Sequence, residues 1–139
     1  MKFKQQKGKV ILRDRRDILR LFDRIAWHLL YNPNRSKMCY VNPLTGQKCV
    51  IGQVIDCDIP EIKVSNNSFA KHIFPYTFEL KMKSLEQDVI YMLHSLQKVN
   101  DDIKYDQNPK LKIDRLKEIY TQYKDLFGKN ESKILSKLK

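Results

Sequence analysis

Glycine, cysteine, histidine and tryptophan are scarce in this chain: four, three, three and one in 139 residues. The four glycines form neither Gly-x-x-x-x-Gly-Lys nor Gly-x-Gly-x-x-Gly, so no loop is built to cradle a phosphate or a dinucleotide through close backbone approach. The cysteines, Cys39, Cys49 and Cys57, are an odd number spaced ten and eight apart. That is not the Cys-x-x-Cys spacing of zinc sites, even with His72 counted as a fourth ligand. Neither a metal nor a cofactor is expected, and the thiols are expected to be reduced. No apolar run approaches the roughly 20 residues of a membrane span. Met1 to Lys9 is basic but leads into no apolar signal core. The expectation is a soluble, cytoplasmic protein. Repeats, Gly/Ser linkers and low-complexity segments are also absent.

Acidic residues are the other shortage. Sixteen stand against 27 lysines and arginines, for a net charge of +11. The imbalance sits at the two ends. Residues 1–37 hold eleven basic and three acidic side chains, a surplus of eight, and residues 128–139 add three more. The middle is neutral. Such a footprint suits an anionic partner, either nucleic acid or an acidic protein face. The bland alternative is solubility with frayed basic termini. A membrane partner and a small-molecule substrate are not expected.

The hydrophobic pattern predicts one α+β domain. Residues 1–13 read as a basic arm whose end, Gly8 to Leu12, is suited to a short strand. Asp14 opens a helix over 14–30, with Ile18, Leu19, Leu21, Phe22, Ile25, Ala26, Leu29 and Leu30 on one broad face. Asn32-Pro33-Asn34 ends it. A β-hairpin is predicted over 38–51, with Asn42-Pro43-Leu44-Thr45-Gly46 as its turn. Phe78 to Lys83 alternates with period two, as a strand does. Ser84 and Gln87 match a capping box for a second helix over 85–104. Its stripe is Val89, Met92, Leu93, Leu96, Val99 and Ile103. Asn108-Pro109 starts a third helix over 110–127, and Gly128 stops it. The fold class is therefore a short antiparallel sheet built on the hairpin and packed against three helices. The globular domain spans 14–128, and 129–139 is a basic tail.

Part of this pattern resembles a known module. Cys39-Tyr40, a turn with Gly46, then Lys48-Cys49-Val50-Ile51-Gly52 is similar to a hairpin of small uncharacterised bacterial and phage proteins. Their next helix resembles Leu93-His94-Ser95-Leu96-Gln97-Lys98-Val99-Asn100-Asp101, and their last resembles Arg115-Leu116-Lys117-Glu118-Ile119. The resemblance covers about residues 38–127. It departs at Asn100, where the family has histidine, and lacks an aromatic after the following loop. It implies a shared fold and a phage or mobile-element origin. The family has no assigned activity, so no functional residue carries over.

Catalytic patterns are weak. A cysteine nucleophile needs a base, and no spacing links His28, His72 or His94 to a cysteine. Of the acid pairs Glu86/Asp88 and Asp101/Asp102, Glu86 suits the first turn of a helix, and Asp101 and Asp102 suit a loop or turn, better than acid–base work. The strongest candidate is one helix face. Arg16, Arg20 and Arg24 follow at i, i+4, and like charges so placed repel unless something answers them. Trp27 falls among them. Exposed, it offers a stacking surface beside the guanidinium groups, a composition typical of binding hot spots. Tucked under the hairpin or the arm, it is a core residue. The functional expectation is a non-catalytic binding protein. It would use Lys7, Lys9, Arg13, Arg16, Arg20, Arg24 and Trp27 to hold or inhibit an acidic or anionic macromolecule. A DNA- or RNA-binding protein using the same face is the alternative, and a small enzyme is disfavoured.

Overall fold

The computed structural model describes residues 5–6, 9–36, 44–55 and 70–138. Among them, in chain order, are β1 (Gln5–Gln6), β2 (Lys9–Leu12), α1 (Arg15–Tyr31), α2 (Ala70–Thr77), β3 (Phe78–Leu80), α3 (Glu86–Asp101), α4 (Ile103–Gln107), α5 (Pro109–Gln122) and α6 (Lys133–Ser136). The described fold is mostly helical, with one small sheet, so the coarse α+β expectation holds.

Helix α1 begins where the sequence places it. Asp14 is extended, and its carboxylate accepts the Asp17 N–H at 3.0 Å. This removes one of the four orphan donors of a helix start. Asp17 in turn reaches backwards. Its Oδ2 accepts both the backbone N–H and Nε–H of Arg13 at 2.9 Å. Burial opposes the charge on Asp17, yet these Arg13 bonds and the nearby Arg20 leave its carboxyl below the ordinary aspartate value. The apolar face from Ile18 to Leu29 is buried as its spacing requires. Each such side chain removed from water contributes about 1.5–3 kcal/mol. It packs against α3, α5 and α6, which makes α1 the central element of the helical layer.

The sheet differs from the predicted one. Its order is β1-β2-β3, with β1 antiparallel and β3 parallel to β2. Val10 faces Phe78 and Leu12 faces Leu80 in register. All four are buried, and together they carry the sheet's share of the core. Thus Lys9–Leu12, at the end of the basic arm, supplies the middle strand. The 38–51 hairpin is not the basis of this sheet. Its first arm lies outside the described residues. Its second arm is no strand: Val50–Val54 turns, closed by Gln53 N–H to the Cys49 carbonyl and Val54 N–H to the Ile51 carbonyl. The physical reason is burial. Cys49, Val50 and Ile51 are each fully buried, whereas a one-sided hairpin arm buries every second residue. Among the described residues, Lys48 makes an isolated bridge to Arg35.

Two helix details also differ. Ser84 does not cap α3. It lies in a 3-10 turn, Lys83–Leu85, whose backbone leads directly into α3 without a side-chain cap. A residue already in helical conformation cannot serve as an N-cap. Asp102 is extended and ends α3, then caps α4 by accepting the Lys104 N–H at 3.1 Å. Ile103 therefore leaves the stripe and is exposed, while Val89 to Val99 is buried as expected. Asn108 caps α5 through the Leu111 N–H, with Pro109 first in the helix.

Candidate functional site

The buried face of α1 fixes what its other face presents. Arg16, Arg20, Arg24 and Trp27 lie together along one wall of a groove of about 830 Å³. Trp27 is 46% exposed, which decides between its two placements in favour of the surface. Its ring meets His28 edge-on at 5.1 Å and lies 5.8 Å from Tyr31, inclined by 53°. Tyr31 is 52% exposed, so the arginine row runs into an aromatic end. Burial, followed by the charges of Arg24 and Arg35, holds the His28 pKa below its ordinary value. The Asn32 amide nitrogen lies 3.1 Å from the His28 Nδ1.

The second wall was not assigned to the site from sequence. It is the segment from Asn130 to Lys137, which contributes Lys133 and Lys137. One carboxylate docks it. Asp23 accepts the Ser132 hydroxyl at 2.5 Å on Oδ1 and the Lys133 N–H at 3.1 Å on Oδ2. The Ser132 oxygen simultaneously accepts the Leu135 N–H at 3.0 Å, so it caps α6. Burial pushes the Asp23 carboxyl above the ordinary aspartate value, and the bonds from Ser132 and the α6 backbone only partly offset this. Leu135 is buried beneath. The sequence signal was the charge at both ends, because the two basic stretches meet on one face. Five cations line the groove, against Glu131 and the Asp23 already engaged in docking.

Lys9 and Arg13, also assigned from sequence, are not among the groove-lining residues. Lys9 lies in β2, Arg13 is committed to Asp17, and Lys7 is outside the described residues. A second depression, of about 560 Å³, lies on α5 between Asp114, Arg115, Lys117, Glu118, Thr121 and Gln122. One helix alone lines it, with charges that cancel, so it presents no field of one sign.

A further polar cluster, invisible in the sequence, holds the C-terminal end of α1. Arg35 donates from Nε to the Asn32 carbonyl (2.8 Å), from Nη1 to Asn100 Oδ1 (2.8 Å) and from Nη2 to Asp106 Oδ1 (2.7 Å). Lys112 donates to the same Asp106 oxygen at 2.8 Å and to the Leu29 carbonyl at 2.7 Å. The Arg35 side chain is only 4% exposed and that of Lys112 11%. Both cations fill carbonyls at the end of α1, where positive charge also suits the helix dipole. Asn100 and Asp101 are tied to each other and to Ser36 and Gln97. Asp101 and Asp102 lie where α3 ends and α4 begins, the helix-end placement expected for them.

Cys39, Cys57 and the His72 side chain lie outside the described residues. Among the described residues no group of His, Cys, Asp and Glu is placed to hold a metal. Cys49 is fully buried, and its sulfur accepts the Gly52 N–H at 3.4 Å. Burial pushes its thiol up to about 12. At pH 8 only about one molecule in ten thousand then carries the thiolate, the reactive form. Iodoacetamide at that pH is expected to leave the Cys49 peptide unmodified in the folded protein and to label it in denaturant. Mass spectrometry checks this. Labelling of folded and denatured protein at the same rate would show that the Cys49 turn is open.

No protein-family model, no curated protein and no solved structure matches the chain. No helix among the described residues is long and apolar enough to cross a membrane.

Proposed function

We propose that this is a non-catalytic binding protein that holds or blocks an anionic macromolecule on the α1 face. The observation that carries this reading is the meeting of two basic walls, Arg16, Arg20 and Arg24 on one side and Lys133 and Lys137 on the other, in one groove beside exposed Trp27. Like charges at i, i+4 cost a helix about 0.2–0.5 kcal/mol per pair. Asp17 answers Arg20 at 3.5 Å. A row of three arginines on one helix face suits a partner of opposite charge. Arginine with tryptophan is also the composition that carries binding energy at protein surfaces.

The test separates this face from net charge. Heparin serves as an anionic polymer. Changing Arg16, Arg20 and Arg24 together to glutamine is expected to lower the salt needed for elution from immobilised heparin, with little change in melting temperature. Changing Lys110, Lys117 and Lys124 to glutamine removes the same charge from an exposed part of the chain outside the groove. That variant is expected to elute nearly like the unaltered protein. Equal losses in the two variants would sink the proposal.

A further inference from the structure

We infer that the groove takes single-stranded nucleic acid, with phosphates along its two basic walls and a base stacked on Trp27. This rests on the anionic-partner reading above and narrows it to one class of polymer. Three features favour it over an acidic protein or a duplex.

The first is spacing. Arg16, Arg20 and Arg24 repeat every four residues, a rise of about 6 Å per step. Lys133 and Lys137 repeat in the same way on the facing wall. A regular row of cations suits a polymer with a regularly repeated charge. The second is the aromatic end. Trp27 and Tyr31 are inclined by 53° rather than stacked on each other, so neither ring covers the other's face. Sequence-tolerant single-strand binders combine a cationic groove with such rings, because every base has a π-face. The carboxylates of an acidic peptide offer Trp27 no such face. The third is shape. A major groove about 12 Å wide admits one α-helix, itself about 10–12 Å across. The cationic face of α1 has α6 docked along it through Asp23, so it is not a lone ridge that enters a duplex. A flexible strand enters the groove instead.

The test uses the full chain and end-labelled oligonucleotides of about 12 nucleotides, within the site size of such binders. Four probes are compared: single-stranded DNA, single-stranded RNA, the corresponding DNA duplex, and heparin, which has charge but no bases. Binding is followed by anisotropy of the label, and heparin binding by competition. For the single strands, five phosphate contacts predict a log–log salt slope of about −3.5, a loss of about 100-fold between about 50 and 200 mM salt. The Arg16, Arg20, Arg24 glutamine variant is expected to flatten the slope to about −1.4, since two cations remain. Trp27→Ala is expected to weaken the single strands about tenfold and leave heparin unchanged, whereas Trp27→Phe restores most of the binding. Comparison of the DNA and RNA arms identifies which strand is preferred. Equal affinity for duplex and single strand overturns the inference. So does a Trp27→Ala variant that binds the single strands as tightly as the unaltered protein. In either case retained heparin binding leaves the broader anionic-partner reading standing. Failure of the unaltered protein to bind any of the four probes overturns both.

Discussion

Replacing Asp106 by alanine is expected to remove about 3 kcal/mol of folding stability, although its side chain is 30% exposed. The loss comes from what it leaves behind. One Asp106 oxygen accepts from both Arg35 and Lys112, whose side chains are nearly buried. Without it, two cations share the end of α1, where among the described residues their remaining bonds go to the neutral oxygens of Asn32, Asn100 and Leu29. Uncompensated buried charge is among the few causes of large single-residue effects. A loss of this size is a substantial part of the roughly 5–15 kcal/mol that holds a domain together. Urea unfolding followed by circular dichroism measures it. The double change R35M/D106A is expected to cost at least about 1 kcal/mol less than the sum of the two single changes, since contacting residues do not add. A D106A midpoint indistinguishable from that of the unaltered protein would mean that Arg35 and Lys112 are satisfied without the carboxylate.

Phe22→Ala is expected to cost about 3–5 kcal/mol, the range for emptying a large aromatic site in a core. Phe22 is fully buried, and its ring lies 5.7 Å from Tyr120 and 5.5 Å from Phe127. Tyr120 also donates from its hydroxyl to the Asn130 carbonyl and accepts the Ser132 N–H. The cavity would therefore open behind the residues that support the second wall of the groove. A fall in melting temperature of about 10 °C or more is expected. Phe22→Leu, which keeps most of the volume, is expected to lose less than half as much and to retain heparin binding. A Phe22→Ala protein as stable as its parent would show that Tyr120 and Phe127 close over the gap.

What was legible in the sequence was local. The Asp14 cap, the Ile18 to Leu29 face, the Asn108-Pro109 start and the strand character of Lys9–Leu12 and Phe78–Leu80 all depend on neighbours within a few positions. The partnership of those two strands does not, and neither does its parallel sense, because nothing in either strand names its mate. Arg35 and Asp106 meet across 71 positions, which no periodicity marks. The Lys48–Ile51 stretch misled because cysteine and β-branched residues suit a strand and a buried turn equally well. Ser84 misled because a capping box also needs extended backbone at its first residue, which sequence does not report. At the groove the arginine row and Trp27 were legible as one helix face. The opposite wall was visible only as unexplained charge at the far end of the chain.

The docking of α6 by Asp23 sets an order of events during synthesis. Every other described element precedes α6 in the chain. A nascent protein that has only α1, α3 and α5 still lacks one wall of its groove. The two basic walls face each other only once Ser132 and Lys133 have emerged and met Asp23. Under the proposed function, capture between the walls would be reserved for chains translated past α6, since a product lacking α6 lacks Lys133 and Lys137.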